Sequence, residues 1–446
     1  MALSFLAGSG VKAPKPQRYA VGVCAAIAAM LAGCGGSQPL IGTPSATVQT
    51  RLPIASRPVS ATGYKTIFSF NGSGGAKPYG NLLVYNGALY GTTADGGANG
   101  DGTVFKLTTS GKETVLYSFR GGADGMTPEG GLAELNGKLY GTTYEGGASS
   151  CEFSGHGCGI VFEISTSGKE RVLHAFTGGV GGNVDGSFPG YGSLQVLNGT
   201  LYGMTGLGGE WGHGTVFGIT PSGKETLSYS FGYGRERHKG QDGAIPLFGL
   251  TAVHGVLFGM TQYGGGFRYG RDGSCGGFGC GTIFKLSTSG RELSLHRFKG
   301  APQGENPVAN VLYVRGKLYG VTGDGGTYGG GTAFATGTSL RKAVTFHSFQ
   351  GAPDGDVPSG VLVSSNGVLY GTTEGGGSPE CTCGTIYAFT SSGTENILHD
   401  FGSASGDGSD PVGGLIELDG VLYGTTTNGG ADGYGTVFAL KEPGKR

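Results

Sequence analysis

The chain has 446 residues, a formal net charge of −1 and only 14% charged residues. A near-neutral, sparsely charged chain offers no basic face, so nucleic acid is not an expected partner. Glycine is the outlier at 98 positions. Because it alternates periodically with short apolar runs, it signals frequent turns between many short strands rather than disorder.

Residues 1–33 read as an export signal. Lys12, Lys15 and Arg18 make a basic head, no acidic residue precedes Asp95, and the apolar run 19–31 is too short to span a bilayer comfortably. It ends in Leu31-Ala32-Gly33-Cys34, which resembles the lipobox of bacterial lipoproteins. The resemblance implies cleavage before Cys34 and a lipid on its sulfur, the soft nucleophile of the motif. With Gly35 where Asp would signal retention at an inner membrane, it also implies attachment at the outer membrane or cell surface. Residues 34–63 then read as the lipidated Cys34 and a flexible tether, with too little apolar content to fold.

From residue 64 one unit recurs. Leu-Tyr-Gly-x-Thr stands at 89–93, 139–143, 201–205, 318–322, 369–373 and 422–426, and Phe258 replaces Tyr in the copy at 257–261. In the copy at 131–176, Leu132–Leu135 is a first strand and Asn136-Gly137 a two-residue hairpin turn. Lys138–Thr143 is the second strand, a Gly-rich loop leads to the third at Gly159–Ile164, and Ser167-Gly168 turns into the fourth at Lys169–Phe176. Four antiparallel strands in about 50 residues is the pattern of a β-propeller blade. An orphan fourth strand, Tyr64–Phe70, precedes the first unit, and the last unit stops after its third strand, Gly435–Leu440. The expected fold is therefore an all-β, seven-bladed β-propeller over 64–440, closed by the amino-terminal strand, with a tail at 441–446.

The recurrent residues have structural readings. Gly91 and its equivalents sit mid-strand, where a side chain is excluded by the next blade's backbone or by an aromatic ring. The Tyr90-type ring is expected to fill the space between blades. Each inter-blade connection carries Gly-x-x-Pro, preceded by Asp at Asp124, Asp185, Asp242, Asp354 and Asp407, and by Gly74 and Gln303 in the other two. The unit Leu-Tyr-Gly-Thr-Thr…Gly-Gly…Gly-Thr-Val-Phe…Ser-Gly…Phe…Asp-Gly…Pro resembles the GloVer tandem repeat of bacterial "choice-of-anchor" proteins, over roughly residues 64–440. That resemblance implies an exported, surface-attached repeat protein, and it transfers no catalytic residue.

Antiparallel order puts the short turns on one side of the disc. The Gly-x-x-Pro connections and the long loops after Leu-Tyr-Gly-x-Thr fall on the other. The long loops carry Tyr144, Phe153, Trp211, Tyr263, Phe267, Tyr269, Phe278, Tyr328 and Tyr434, a candidate ligand face; equally, these rings could pin Gly-rich loops to the disc. Six cysteines occur as local pairs in the same loop of three blades: Cys151 with Cys158, Cys275 with Cys280, and Cys381 with Cys383. Each pair is expected to form a disulfide, because isolated pairs are too few for metal. His174, His296, His347 and His399 share one repeat position on separate blades, so a shared metal or catalytic cluster is not expected. The Asp of the Asp-Gly loops lacks the dense spacing of calcium sites. No cofactor, metal or catalytic residue is assigned.

The reading these features support is a lipid-anchored, monomeric surface propeller that binds glycan, protein or another envelope component without catalysis. The alternatives are a polysaccharide hydrolase or lyase using loop acids such as Glu145, Glu152, Glu210 or Asp272, and a structural coat protein. Blade-specific carboxylates converging on the central funnel would favour the enzyme; seven near-equivalent linings would favour a scaffold or binder.

Overall fold

The computed structural model describes residues 63–147, 151, 154–179, 185–232, 242–266, 275, 278–389 and 394–442. Cys34, the export signal and nearly all of the tether lie outside them, as do Glu152, Phe153, Phe267, Tyr269 and Asp272. Seven antiparallel sheets of propeller type follow one another along the chain. In blade 2 the strands are Ala133–Leu135, Lys138–Thr143, Ile160–Ile164 and Glu170–Ala175, paired in that order from axis to rim. The Asn136-Gly137 turn takes φ of 55° and 77°, the left-handed pair that matches the twist of a tight hairpin.

Closure follows the expected route. Tyr64–Ser69 pairs antiparallel with Thr436–Lys441, from Tyr64 opposite Leu440 to Ser69 opposite Thr436. The first folded strand is therefore the outer strand of blade 7. Phe70, fully buried, carries this contact onward to Phe105 of blade 1, ring centroids 5.2 Å apart. Each of the seven junctions holds its own apolar cluster. Tyr90, for example, packs with Phe119, Leu132, Ile160 and Phe162 between blades 1 and 2. Burying one such ring contributes about 1.5–3 kcal/mol.

The mid-strand glycine excludes a side chain because of a ring. A Cβ at Gly91 would stand 2.6 Å from Cζ of Phe105, its cross-strand partner in the same blade. At the axis, backbone meets backbone. A Cβ at Gly80 would lie 2.7 Å from the Gly130 carbonyl carbon, and one at Gly360 would lie 2.7 Å from Cα of Gly414. The side chains of Asn81 and Asn310 tie across this collar, each accepting at 2.5 Å from a glycine N–H, Gly414 and Gly249 respectively. These contacts bring the inner backbones of neighbouring blades against each other around the axis.

Bridges between Ala76 and Asp95, Met126 and Glu145, and Ala244 and Tyr263 lay the Gly-x-x-Pro connections beside the residues that follow Leu-Tyr-Gly-x-Thr. Both sets therefore rise on one face. The three disulfides form as the sequence pairs them. Cys151 is bonded to Cys158, Cys275 to Cys280 and Cys381 to Cys383, with Cα–Cα distances of 5.2, 5.0 and 5.1 Å. The second cysteine of each pair also ends its loop at a fixed point. The carbonyls of Cys158, Cys280 and Cys383 accept from the N–H groups of Phe188, Asn306 and Asp410, at 2.9, 3.0 and 3.0 Å. Each disulfide thus fastens a long loop to a residue already bonded to the following Gly-x-x-Pro connection. Cys158 and Cys280 are fully buried there, while Cys383 is half-buried. Among the described residues no helix is long and apolar enough to cross a membrane.

Candidate functional site

Each Gly-x-x-Pro connection delivers the residues after its proline directly to the axis. In most blades these are small or aliphatic: Leu247, Val308, Ser359 and Val412 follow Pro246, Pro307, Pro358 and Pro411. Blades 1 and 2 instead place Tyr79 and Glu129 there, and in blade 3 Tyr191 comes second after Pro189, behind Gly190. Tyr191 is the hub. Its ring centroid lies 6.3 Å from Tyr79, 6.4 Å from Tyr144 at an interplanar angle of 17°, and 6.1 Å from Phe248 of blade 4. Four blades thus contribute rings to one aromatic group standing on the glycine collar.

Carboxyls flank these rings in two groups. Glu129 is only 3% exposed, and its Oε2 has no hydrogen-bond partner. Burial first, then Asp95 and Glu145, push it up to about 8, against a smaller downward pull from Lys77. On the other side Glu374, half-buried, is pushed up to about 7 by burial and then by Asp410 and Asp324. Tyr79 and Tyr191 feel both Glu129 and Glu374, and burial above all holds each phenol well above its usual range. Lys77 is already committed to Asp95 at 2.7 Å. The result is a half-exposed group of aromatic faces between a buried carboxyl, Glu129, and a half-buried one, Glu374. Both hold a proton more tightly than a free glutamate does.

The residues expected from sequence divide between the cleft and the rim. Tyr144 and Glu145 reach the axial group. Trp211, Tyr328 and Tyr434 are 41%, 63% and 45% exposed on the outer rim of the same face. Trp211 there lies over Gly232, and Tyr434 over Gly72. Glu210 is also at the rim and exposed, its N–H donating to Ser230. Tyr263 and Phe278 pair with each other at 6.0 Å. The disulfides belong to the rim as well. A Cβ at Gly178 would meet Sγ of Cys158, and one at Gly402 would meet the sulfurs of Cys381 and Cys383. Both glycines follow the last strand of their blade, so these bonds brace the rim rather than line the cleft. Tyr79, Glu129, Tyr191 and Glu374 carry no signal as separate loop residues. They stand out only when the seven units are aligned and the residues after the shared proline and after the shared threonine are compared.

The shared histidine and Asp-Gly positions meet at the rim between blades. Asp185 accepts from His174 at 2.8 Å and from the Thr177 N–H at 3.0 Å. Asp407 is placed likewise with His399 at 3.0 Å, and Asp124 and Asp242 accept from Tyr117 and Tyr229 hydroxyls at 2.6 and 2.8 Å. Sequence reasoning missed the third member, the Glu that opens the fourth strand of the next blade. In Ser-Gly-Lys-Glu, which reads as a turn, this residue is Glu113, Glu170 and Glu225; Glu292 and Glu395 hold the same place. His174 lies 3.6 Å from Glu225, and His347 lies 3.2 Å from Glu395. Burial raises Glu113 and Glu170 to about 7, while hydrogen bonds to His174 and Thr177 hold Asp185 low against its own burial. The two junctions that lack the aspartate are rearranged, and each keeps an unpartnered oxygen, on Gln303 and on Glu113. Where Gln303 stands, Ala343 replaces the glutamate and Nε2 of Gln303 faces His296 at 3.2 Å. Where Gly74 stands, Glu113 fills the vacated space. The histidines thus sit in separate junctions, one to a blade.

Solved structures resemble the chain only at the level of fold. A quinohemoprotein alcohol dehydrogenase from Comamonas testosteroni is 12% identical with a TM-score of 0.49, covering 86% of this chain and 77% of its own. A puromycin-hydrolyzing peptidase from Mycobacterium tuberculosis is 11% identical with a TM-score of 0.47, covering 87% of this chain and 56% of its own. A gluconolactonase from Xanthomonas campestris is 13% identical with a TM-score of 0.36, covering 64% and 79%. None of their activities is carried over. No curated protein matches. The Gloeobacter/Verrucomicrobia repeat model matches residues 55–273 and 270–446, nearly the whole folded region, and the chain belongs to that repeat family.

Proposed function

We infer that this propeller is an exported, lipid-anchored surface module that binds an envelope or extracellular glycan in the axial cleft of its long-loop face. The export signal and the Leu31-Ala32-Gly33-Cys34 motif support the location. The observation that carries the binding role is the gathering of Tyr79, Tyr144 and Tyr191 at the axis between Glu129 and Glu374. Aromatic faces pack against the C–H faces of sugar rings, and carboxyls exchange hydrogen bonds with their hydroxyls. A glycan array probed with the purified full chain tests this. Binding that is lost in Tyr191→Ala and kept in Trp211→Ala supports the axial site; loss in Trp211→Ala alone places recognition at the rim.

One observation favours the enzymatic alternative: the axial carboxyls are blade-specific, and a Glu129 raised to about 8 keeps its proton at neutral pH as a general acid does. Against it, the acids stand as two groups, Asp95, Glu129 and Glu145 on one side and Asp324, Glu374 and Asp410 on the other. A hydrolase needs an acid and a base or nucleophile flanking one bond. Release of new reducing ends from a bound polysaccharide, abolished in Glu129→Gln, would establish the hydrolase instead.

A further inference from the structure

Most of the acids at the axis have partners: Lys77 holds Asp95, Asn306 and Asn428 donate to Asp324 and Asp410, and Ser154 donates to Glu145. At the rim Glu225 and Glu395 lie beside His174 and His347, although one oxygen of each, like one of Glu113 and of Glu170, is buried without a hydrogen bond. At the axis Glu129 is buried with Oε2 unpartnered. The charged and titratable groups that act on it are Asp95 and Glu145, which are acidic, and Lys77, which is held by Asp95; the Tyr79 and Tyr191 phenols stand beside it. Leaving a buried carboxyl without a partner costs about 1–3 kcal/mol or more. A fold that keeps one at the mouth of an aromatic cleft has a place for a donor from outside.

The donor's chemistry follows from what lines the cleft. An anion is excluded by Asp95, Glu129, Glu145, Asp324, Glu374 and Asp410. A bare metal ion needs several carboxyl oxygens around one point. Among the described residues, the groups of three such ligand atoms within 4.8 Å lie elsewhere. They are His174 with Asp185 and Glu225, His347 with Asp354 and Glu395, and Glu305 beside the Cys275–Cys280 disulfide. The axial acids are instead spaced around the faces of Tyr79, Tyr144 and Tyr191. Ring faces and carboxylates together attract an organic ammonium, through the ring quadrupole on one side and charge-assisted hydrogen bonds on the other.

Resting on the glycan reading above, we propose that the axial cleft selects a sugar bearing a free amine, so that its ligand is a deacetylated amino-sugar polymer rather than a neutral or N-acetylated one. The sugar ring lies on the tyrosines and its ammonium donates to Glu129, with Glu374 across the cleft. Glu129, whose burial favours the protonated form in the free chain, becomes the carboxylate when the ammonium arrives, and its proton goes to solvent. An N-acetyl group carries no charge, so it cannot draw that proton off.

Calorimetric titration of the purified full chain, in two buffers of different ionisation heat, tests this. It is run at about pH 5.5, where the glucosamine amines are already ammonium and take up no proton on binding. The probes are a fully deacetylated β-1,4-glucosamine oligomer and its fully N-acetylated counterpart. The deacetylated oligomer is expected to bind at least about tenfold tighter and to release protons on binding. Glu129→Gln should remove both the preference and the proton release, whereas Asp432→Asn on the exposed rim should change neither. Equal affinity for the two oligomers, with both lost in Tyr191→Ala, overturns amine selection and leaves the glycan reading standing. Binding of neither overturns the amine proposal, and the array decides separately on the glycan reading.

Discussion

The molecule holds two collections of buried acid, and they behave in opposite ways. At the rim, Asp and Glu recur at the junctions and meet a His or Tyr, and where one member is missing its neighbour adjusts, as Ala343 does opposite Gln303. At the axis, Glu129 and Glu374 occur once each, among rings that also occur once, and Oε2 of Glu129 is left unpaired. The same repeat supplies both places. A residue that returns in register with its partner serves the ring; one that breaks the register at the point where all blades meet is free to serve a ligand. Both places are desolvated enough to raise carboxyls, and both leave single carboxyl oxygens unpaired, at Glu113, Glu170, Glu225 and Glu395 as at Glu129. The difference is that the rim acids recur beside His or Tyr while the axial ones stand once among tyrosine faces.

The largest effect is expected where the rim holds the closure itself. Asp407 accepts from Tyr64 at 2.5 Å, from His399 at 3.0 Å and from the Gly408 N–H at 2.8 Å, and so ties the amino-terminal strand to blade 6. Asp407→Ala leaves buried donors without an acceptor and should lower unfolding stability by about 3–5 kcal/mol, read from denaturant midpoints. An unchanged midpoint would show that the rim pairs are ornaments of a closure secured by packing alone.

Glu129→Gln is expected to act in the opposite sense. The folded Glu129 titrates at about 8 against a reference of 4.5, so between these values the folded chain holds the proton more tightly than the unfolded chain. Its contribution to stability is therefore complete at low pH and is lost as pH rises toward 8. Glu113, Glu170 and Glu374, each raised to about 7, have the same sign. So does His174, raised above 6.5, whose contribution is complete below that reference and lost as pH rises through the folded value. Asp185 and Asp407, both lowered from 3.8, contribute only above that region and are lost in stronger acid. The chain should thus be most stable near pH 5 and weaken toward pH 9. Glutamine at 129 should be near neutral at pH 5 and stabilising by a few kcal/mol (about 2–4) at pH 9. A midpoint that rises between pH 5 and 9 would contradict this account.

A smaller effect sharpens the pairing rule. Gly74→Asp restores the missing acid of its junction, where a Cβ would meet Oε2 of Glu113 at 2.7 Å. Phe68, at the position of Tyr117 and His174, offers no donor. Two carboxyls without a donor should cost about 1–2 kcal/mol at pH 8 and much less at pH 5. A stabilising result would show that the acids alone suffice.

The ring and its two faces were legible in the sequence because turns announce themselves. Asn136-Gly137, Ser167-Gly168 and the glycine and proline of each connection fix strand ends locally, and the unpaired strand Tyr64–Ser69 could have only one partner, the edge at Thr436–Lys441. The disulfides were legible for the same reason, each being closed within one loop; what the spacing did not reveal is that Cys158, Cys280 and Cys383 also bond through their carbonyls to the next connection. The axial site was not legible, because Tyr79, Glu129, Tyr191 and Glu374 come from four blades and meet only through closure. Unusual residues in long loops draw attention in the sequence, yet Trp211 and Tyr328 lie far out on the rim. Loop length gathers the long loops on one face, but proximity to the axis is set by the first one or two residues after proline.

The most direct measurement is hydroxyl-radical footprinting of the full chain with and without a saturating glycan ligand, read by mass spectrometry. The account predicts protection of Tyr79, Tyr144 and Tyr191, with Trp211, Tyr328 and Tyr434 labelled as before. Protection confined to Trp211, Tyr328 and Tyr434, with the axial tyrosines unchanged, would contradict it.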